Sequence, residues 1–449
     1  MTYEEALTRL EALQPGGMKM GLERMKRALE WLGHPERQLQ VVHVAGTNGK
    51  GSTARMIQAM ATAAGYRTGL YSSPAVTGLR DTITVDGEAI SPAAFAAGTA
   101  RILALLPQLE EVGGLSAFEL TTLLALWYFA EQKTDLCVVE CGMGGRTDAT
   151  NVFDQPLAVV ITPISLDHTA WLGESVEAIA LQKCGIIRPG RPVITTPVQD
   201  PEALAVILEQ AAEQGTTVRM PALPTGPPDE LDWGRTAFTW RGNRMVLPLT
   251  GAFQQENACL AWETAQALED AGFRIPDEVK VKGLTAATIP CRQERIGREP
   301  FIVVDGAHNP QGVAALARTL RQLPPPGPLT AVMGMLRDKD TAACAAMLGP
   351  LCARIICCPP ASPRALTGEE LADRLRPFCP AVEAAASPLE ALRRAQTLAD
   401  GGPLLVAGSF YLAAELRPFL TEGDSSGASS AGTAAVRQDK TGTDKTTAN

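Results

Sequence analysis

Short apolar runs alternate with helical stretches along most of this chain. VVHVA from Val41, LCVVE from Leu136, LAVVIT from Leu157, FIVVD from Phe301, RIICC from Arg354 and LLVAG from Leu404 are continuously apolar and bounded by polar or glycine residues. Continuous rather than alternating apolar character predicts strands covered on both faces, as in a parallel sheet. The intervening segments, such as STARMIQAMATAAG from Ser52, have the length and spacing of crossover helices. The pattern predicts an α/β fold with mainly parallel sheets.

One region breaks the rhythm. From Pro221 to Asp232 the chain reads PALPTGPPDELD, too rich in Pro and Gly for regular structure, and FTWRGNRMVLPL beyond it alternates like a solvated antiparallel hairpin. A helix is expected from Asn257 to Gly272, and the strand at Phe301 opens a second α/β unit. The domain boundary is therefore placed near residue 290, giving units 1–290 and 291–420. From 421 to 449 the chain is dominated by Ser, Thr, Gly and Ala, with no aromatic residue, and is expected to be a disordered tail.

The length of 449 residues leaves room for two or three domains. No stretch approaches the ~20 uninterrupted apolar residues of a membrane span. Forty basic against 49 acidic residues leave a net charge of −9, which disfavours broad adhesion to nucleic acid or anionic lipid. Any anionic ligand needs a local site. The N-terminal MTYEEALTRLEAL lacks the basic patch and apolar run of a signal peptide, so the chain is expected in the cytoplasm. Ten cysteines occur without a CxxC pair and read as reduced core thiols rather than disulfides or a zinc site.

Within VVHVAGTNGKGST, a buried strand runs into Gly46, Thr47, Asn48, Gly49, Lys50, Gly51, Ser52 and Thr53, and a helix follows. Backbone N–H groups of such a turn converge with the helix N-terminus on one point, which suits phosphate, and Lys50 adds a full positive charge. The match to the common Gx4GK[ST] pattern is imperfect: the first glycine would fall on Val44, and Gly51 separates Lys50 from Ser52. The plain alternative is a glycine-built strand-to-helix turn, against which the lysine at its apex argues.

This loop resembles that of folylpolyglutamate and dihydrofolate synthases of the Mur ligase superfamily. The resemblance extends over about residues 1 to 420, through YSSP at Tyr71, VVECGMGGRTDATNV at Val138, ISLDHTAWLGESVEAIALQKCGII at Ile164, the Gln254 and Asn257 pair, DGAHNP at Asp305, GMLRDKD at Gly334 and AGSFYL at Ala407. It implies a P-loop central ATPase domain with a mainly parallel sheet and a smaller, Rossmann-like C-terminal α/β domain. It also implies ATP and Mg²⁺, with two ions expected.

Residue type alone leaves several roles open. Glu140 closes an apolar strand at the carboxyl end where open α/β sheets place ligands. His168 could be a satisfied structural histidine, Lys183 a surface or phosphate-facing lysine, and Asp305 with His308 a capping acid with a bystander. The resemblance implies that Ser73, Glu140 and His168 contact magnesium, and that a carbamylated Lys183 binds a second ion. It further implies that Asn257, Arg292, Asp305 and His308 serve nucleotide binding and domain closure, with Lys50, His168 and Lys183 in the catalytic set and Ser409 at the domain interface. The chain departs from the family at Ala75, at Asp81-Thr82 where relatives carry a Glu-Arg pair, and at Ile289-Pro290-Cys291-Arg292 where they carry Trp-Pro-Gly-Arg.

The implied activity is ATP-dependent addition of L-glutamate to a reduced folate, or to dihydropteroate, through an acyl phosphate, by a monomer without nucleic acid or membrane partners. A peptidoglycan amino-acid ligase would be expected to need more chain before the loop at residue 46. A P-loop nucleotide switch would not need the second unit's DGAHNP.

Overall fold

The computed structural model describes residues 1–13, 21–297 and 299–425. The first unit is built on an eight-stranded sheet of β1 (Val41–Ala45), β2 (Thr68–Tyr71), β3 (Ile83–Val85), β4 (Glu88–Ala89), β5 (Leu136–Glu140), β6 (Ala158–Ile161), β7 (Val193–Thr195) and β8 (Val218–Arg219), in the order β4-β3-β2-β5-β1-β6-β7-β8. The strands from β2 to β8 pair in parallel, and only β3 and β4 fold back as an antiparallel edge. The expected mainly parallel α/β fold is present.

The apolar runs read as they do because both sheet faces are covered. Val42, Val44, Leu136 and Val138 face one core with the helices Lys50–Ala63 and Phe253–Asp270, while Val41, Cys137 and Val139 face the opposite core with the helix Ala117–Glu131. All ten cysteines are buried free thiols.

The excursion after β8 is a three-stranded antiparallel sheet, β9 (Glu230–Asp232), β10 (Arg235–Trp240) and β11 (Asn243–Leu247). The hairpin is where the alternation placed it. β9 corrects the reading of 221–232 as wholly irregular: Arg235 pairs with Asp232 across a tight turn, so β10 extends the ladder into the end of the Pro-rich stretch. The helix expected from Asn257 begins at Phe253, so Gln254 and Asn257 both lie on it.

The second unit has a six-stranded sheet of β12 (Glu294–Ile296), β13 (Ile302–Val304), β14 (Thr330–Met333), β15 (Arg354–Cys357), β16 (Val382–Ala384) and β17 (Leu404–Ala407), ordered β12-β13-β17-β14-β15-β16 and parallel except for β12. Its last helix, Phe410–Ser425, runs five residues into the stretch read as a disordered tail. The remainder of that stretch, 426–449, lies outside the described residues. Among the described residues no helix is long and apolar enough to cross a membrane.

Candidate active site

β1 is central in its sheet, and the chain leaves its carboxyl end directly into the loop 46–53. Gly49 caps the following helix at φ 86, a left-handed conformation that strains any residue with a Cβ. The loop is pinned from behind: the N–H groups of Thr47 and Asn48 donate to Pro163 O at 2.9 and 3.2 Å, and Ser165 N donates to Thr47 Oγ1 at 3.1 Å. The opening N–H groups of the helix Lys50–Ala63 have no intrahelical acceptor, which makes them anion donors. Lys50 Nζ donates to Thr47 O at 3.1 Å and lies 4.0 Å from Glu140 Oε1. Ser52 and Thr53 are buried beneath the turn, and an added Cβ at Gly49 would collide with Asn257 Oδ1, which puts Asn257 against the loop.

The extra glycine in GKGS has a local reason. A Cβ on Gly51 would stand 3.3 Å from Glu140 Oε2 and 3.4 Å from Ser72 Oγ, so its absence leaves room for the carboxylate. Ser72 Oγ donates to Glu140 Oε2 at 2.5 Å, and Ser73 contributes its backbone N–H at 3.3 Å. Ser72 was not singled out from the sequence, although it adjoins Ser73 in YSSP. Burial pushes the Glu140 carboxyl above its usual range, and Lys50 and Ser72 pull against that shift.

β6 leads to a second cluster. The Asp167 side chain, 8% exposed, receives Lys339 Nζ from the second unit. Asn309 Nδ2 donates to Asp167 Oδ2 at 3.0 Å, and His308 Nε2 stands 3.7 Å from the same oxygen. Burial would raise the Asp167 carboxyl, but His308 and Lys339 outweigh it and hold it far below the carboxylate range. Asn48 joins the two units as well, accepting from Asn309 Nδ2 at 3.2 Å and donating to Gln311 Oε1 at 2.5 Å. The phosphate loop and the DGAHNP segment are thus in direct contact.

His168 follows Asp167 in the left-handed conformation, φ 52, with Nδ1 buried and unpartnered. Burial and the Lys339 charge lower it to about 4, so near neutral pH it is an uncharged imidazole. Lys183 is not a surface lysine: it is buried on the helix Val176–Cys184, and its Nζ donates to Gly46 O at 2.6 Å. Burial, helped by Lys50, brings it down to about 7.

In the second unit the Asp305 carboxylate turns inward, accepting from Gln293 N at 2.7 Å and Ala307 N at 2.5 Å, so it organises its own loop. Arg292 is half-buried, with its guanidinium 4.1 Å from the Phe410 ring centre, and the charges acting on it include Asp305 and Glu140. Ser409 Oγ caps the last helix through Leu412 N at 3.0 Å.

The donor set fits a hard cation. Glu140 is a desolvated carboxylate facing the anion loop, and His168 offers an orphaned imidazole nitrogen. An ion that keeps waters and phosphate oxygens as most of its ligands needs only a few protein groups.

Fold and site together define a Mur ligase: the Mur ligase middle domain matches residues 44–265, and the Mur ligase glutamate ligase domain matches 291–410. A folylpolyglutamate synthase of Lacticaseibacillus casei is 35% identical over 440 residues, covering 95% of this chain and all of the relative. The dihydrofolate synthase/folylpolyglutamate synthase of Escherichia coli K12 is 35% identical over 370 residues, 82% of this chain and 84% of the relative. A Mycobacterium tuberculosis folylpolyglutamate synthase complexed with ADP and AMPPCP superposes with a TM-score of 0.85 at 32% identity, covering 93% of this chain and 99% of the other. The chain belongs to the folylpolyglutamate synthase/dihydrofolate synthase family.

Proposed function

We infer that this protein activates a folate carboxylate with ATP and couples it to the amine of L-glutamate. It is an ADP-forming ligase, and the family's names and nucleotide complexes support that reading. The observation that carries it here is the position of Lys50 Nζ, between Thr47 O and Glu140 Oε1 at the carboxyl end of the sheet.

A carboxylate is a poor electrophile, so the terminal phosphoryl group of ATP moves onto it to give an acyl phosphate and ADP. The amine of glutamate then attacks the acyl carbon, phosphate leaves, and the amide forms. Catalysis of the first step is mostly positioning and charge neutralisation, which the loop N–H groups and Lys50 provide. Asn257, Arg292 and His308 would hold the nucleotide and the transferring group, while Asp305 shapes the loop that carries His308. Ser73, Glu140 and His168 would hold magnesium, which neutralises phosphate oxygens when bound. Contacts of the second unit through Asn309, Gln311 and Lys339 close the cleft, and exclusion of water protects an acyl phosphate.

A carbamylated Lys183 as ligand of a second ion is supported by its burial and by an amine that is partly neutral at pH 7, the form that adds carbon dioxide. The reading takes a single copy of the chain as the working unit. ATP and reduced folates are charged and retained inside cells, which favours the cytoplasm. The acceptor we favour is tetrahydrofolate. Dihydropteroate is the second reading, favoured by the double name of the Escherichia coli relative.

The test is ADP release with ATP and each acceptor, with and without glutamate. Release that requires both acceptor and glutamate is expected, and Lys50→Ala should abolish it while leaving the circular dichroism spectrum unchanged. Release indifferent to acceptor and glutamate would overturn the reading.

A further inference from the structure

Trp233 sits where a chain is ordinarily polar. Asp232 pairs with Arg235, so β9 and β10 are joined by a two-residue turn of Trp233 and Gly234. Such turns usually carry Gly, Asn, Asp or Ser. The flanking Asp232 and Arg235 are exposed, yet Trp233 is half-buried, and it packs against an apolar core of the second unit that includes Phe301, Val303 and Leu316. Its ring meets Phe301 edge-on, with centres 5.3 Å apart and planes at 82°.

Both ends of this contact lead to the candidate active site. On the first-unit side, Phe238, Trp240, Met245 and Leu247 fix the three-stranded sheet into the core it shares with the helices Lys50–Ala63 and Phe253–Asp270. Gly234 N donates to the buried Thr250 Oγ1 at 2.8 Å, three residues before the helix that carries Asn257 to the phosphate loop. On the second-unit side, Phe301 is 7% exposed and directly precedes β13, whose carboxyl end runs into Asp305, His308 and Asn309.

The contacts at the two ends of β13 differ in kind. Asn309 and Gln311 meet Asn48, and Lys339 meets Asp167, through directional polar bonds that need a particular geometry. The Trp233–Phe301 contact is apolar and tolerates rolling of one ring on the other. Asp305 lies four residues beyond Phe301, about 13 Å along the strand. A turn of about 10° at Phe301 moves that loop by about 2 Å, whereas an error of about 1 Å can cost about 100-fold in rate.

We propose that Trp233 is a positioning residue: it is the pivot on which the second unit docks, and it sets where the DGAHNP loop meets the phosphate loop. The pivot touches no reacting atom and acts through β13 and the helix Phe253–Asp270. It serves the ligase reaction proposed above and rests on that reading.

The test compares the full chain with Trp233→Ala, Trp233→Phe, Phe301→Ala and the double variant Trp233→Ala/Phe301→Ala. Small-angle scattering with magnesium and AMPPCP, which does not depend on turnover, should give a larger radius of gyration for Trp233→Ala than for the wild type. Loss of the ring contact predicts a fall of about tenfold in kcat, with the melting temperature unchanged. Trp233→Phe keeps a ring and should recover most of both readouts. The double variant should be no slower than the slower single one, because both remove the same contact. Wild-type scattering and kcat in Trp233→Ala, a phenylalanine variant no better than the alanine one, additive losses in the double variant, or a lowered melting temperature with wild-type kcat would each overturn the pivot. Wild-type protein without ADP release dependent on acceptor and glutamate would overturn the ligase reading, and the positioning role with it.

Discussion

Replacing Lys339 by Met tests whether the two units are held together by the pair it makes with Asp167. Both side chains are almost wholly buried, with 4% and 8% exposure. Removing one partner of a buried pair usually costs about 3–5 kcal/mol, because the other charge is stranded. Asp167 would keep His168 N at 2.8 Å and Asn309 Nδ2 at 3.0 Å, so the lower end applies, about 3 kcal/mol. Each unit retains its own core, so the penalty falls on closure, shifting the open-to-closed ratio by roughly 100-fold. The depressed Asp167 carboxyl gives a sign for pH. Its contribution is complete above the ordinary carboxylate value and is lost only as pH falls toward the folded one, so closure should be insensitive to pH across the neutral range. Small-angle scattering with magnesium nucleotide should report a larger radius of gyration for the variant, and kcat/KM should fall with little change in melting temperature. Asp167→Asn combined with Lys339→Met should cost less than the sum of the two. Wild-type scattering and wild-type kcat/KM in Lys339→Met would refute the latch.

Glu140→Gln keeps the side-chain shape and the Ser72 contact but removes the charge facing Lys50; the magnesium concentration for half-maximal activity should rise at least about tenfold, and an unchanged titration would remove Glu140 from the metal site. His43 is buried between Thr150 Oγ1 at 2.9 Å and Cys141 Sγ at 3.2 Å, and burial lowers it to about 3. The folded state therefore stays neutral while the unfolded chain protonates below about 6.5, so stability falls as pH drops through that window by about 1.4 kcal/mol per unit. Urea unfolding of the first unit should lose about 2 kcal/mol between pH 7 and pH 5, and less in His43→Gln; equal losses in both would exclude His43 as the source.

The strands were legible because β1, β5, β6, β13, β15 and β17 are covered on both faces, which writes continuous apolar runs into the chain. β9 was not, because a three-residue edge strand made by pairing with β10 leaves no period of its own. The phosphate loop could be read from residue types and spacing, since its chemistry is local. The partners of Asp167 could not: Lys339 lies 172 residues away, and nothing in GMLRDKD shows which carboxylate its lysine meets. Ser72 hid beside Ser73 because which of two adjacent serines turns its hydroxyl to Glu140 is decided by the strand end. Residue type left Lys183 open between a surface and a phosphate-facing role because its helix is short and its acceptor, Gly46 O, comes from a segment 137 residues earlier.

The central claim is that an oxygen of the acceptor's own carboxylate takes the phosphoryl group held at Lys50. Tetrahydrofolate labelled with ¹⁸O in its γ-carboxylate, turned over with unlabelled ATP and glutamate, tests this directly. The account predicts that the released inorganic phosphate carries one ¹⁸O atom from the acceptor, whereas phosphate free of label would contradict it.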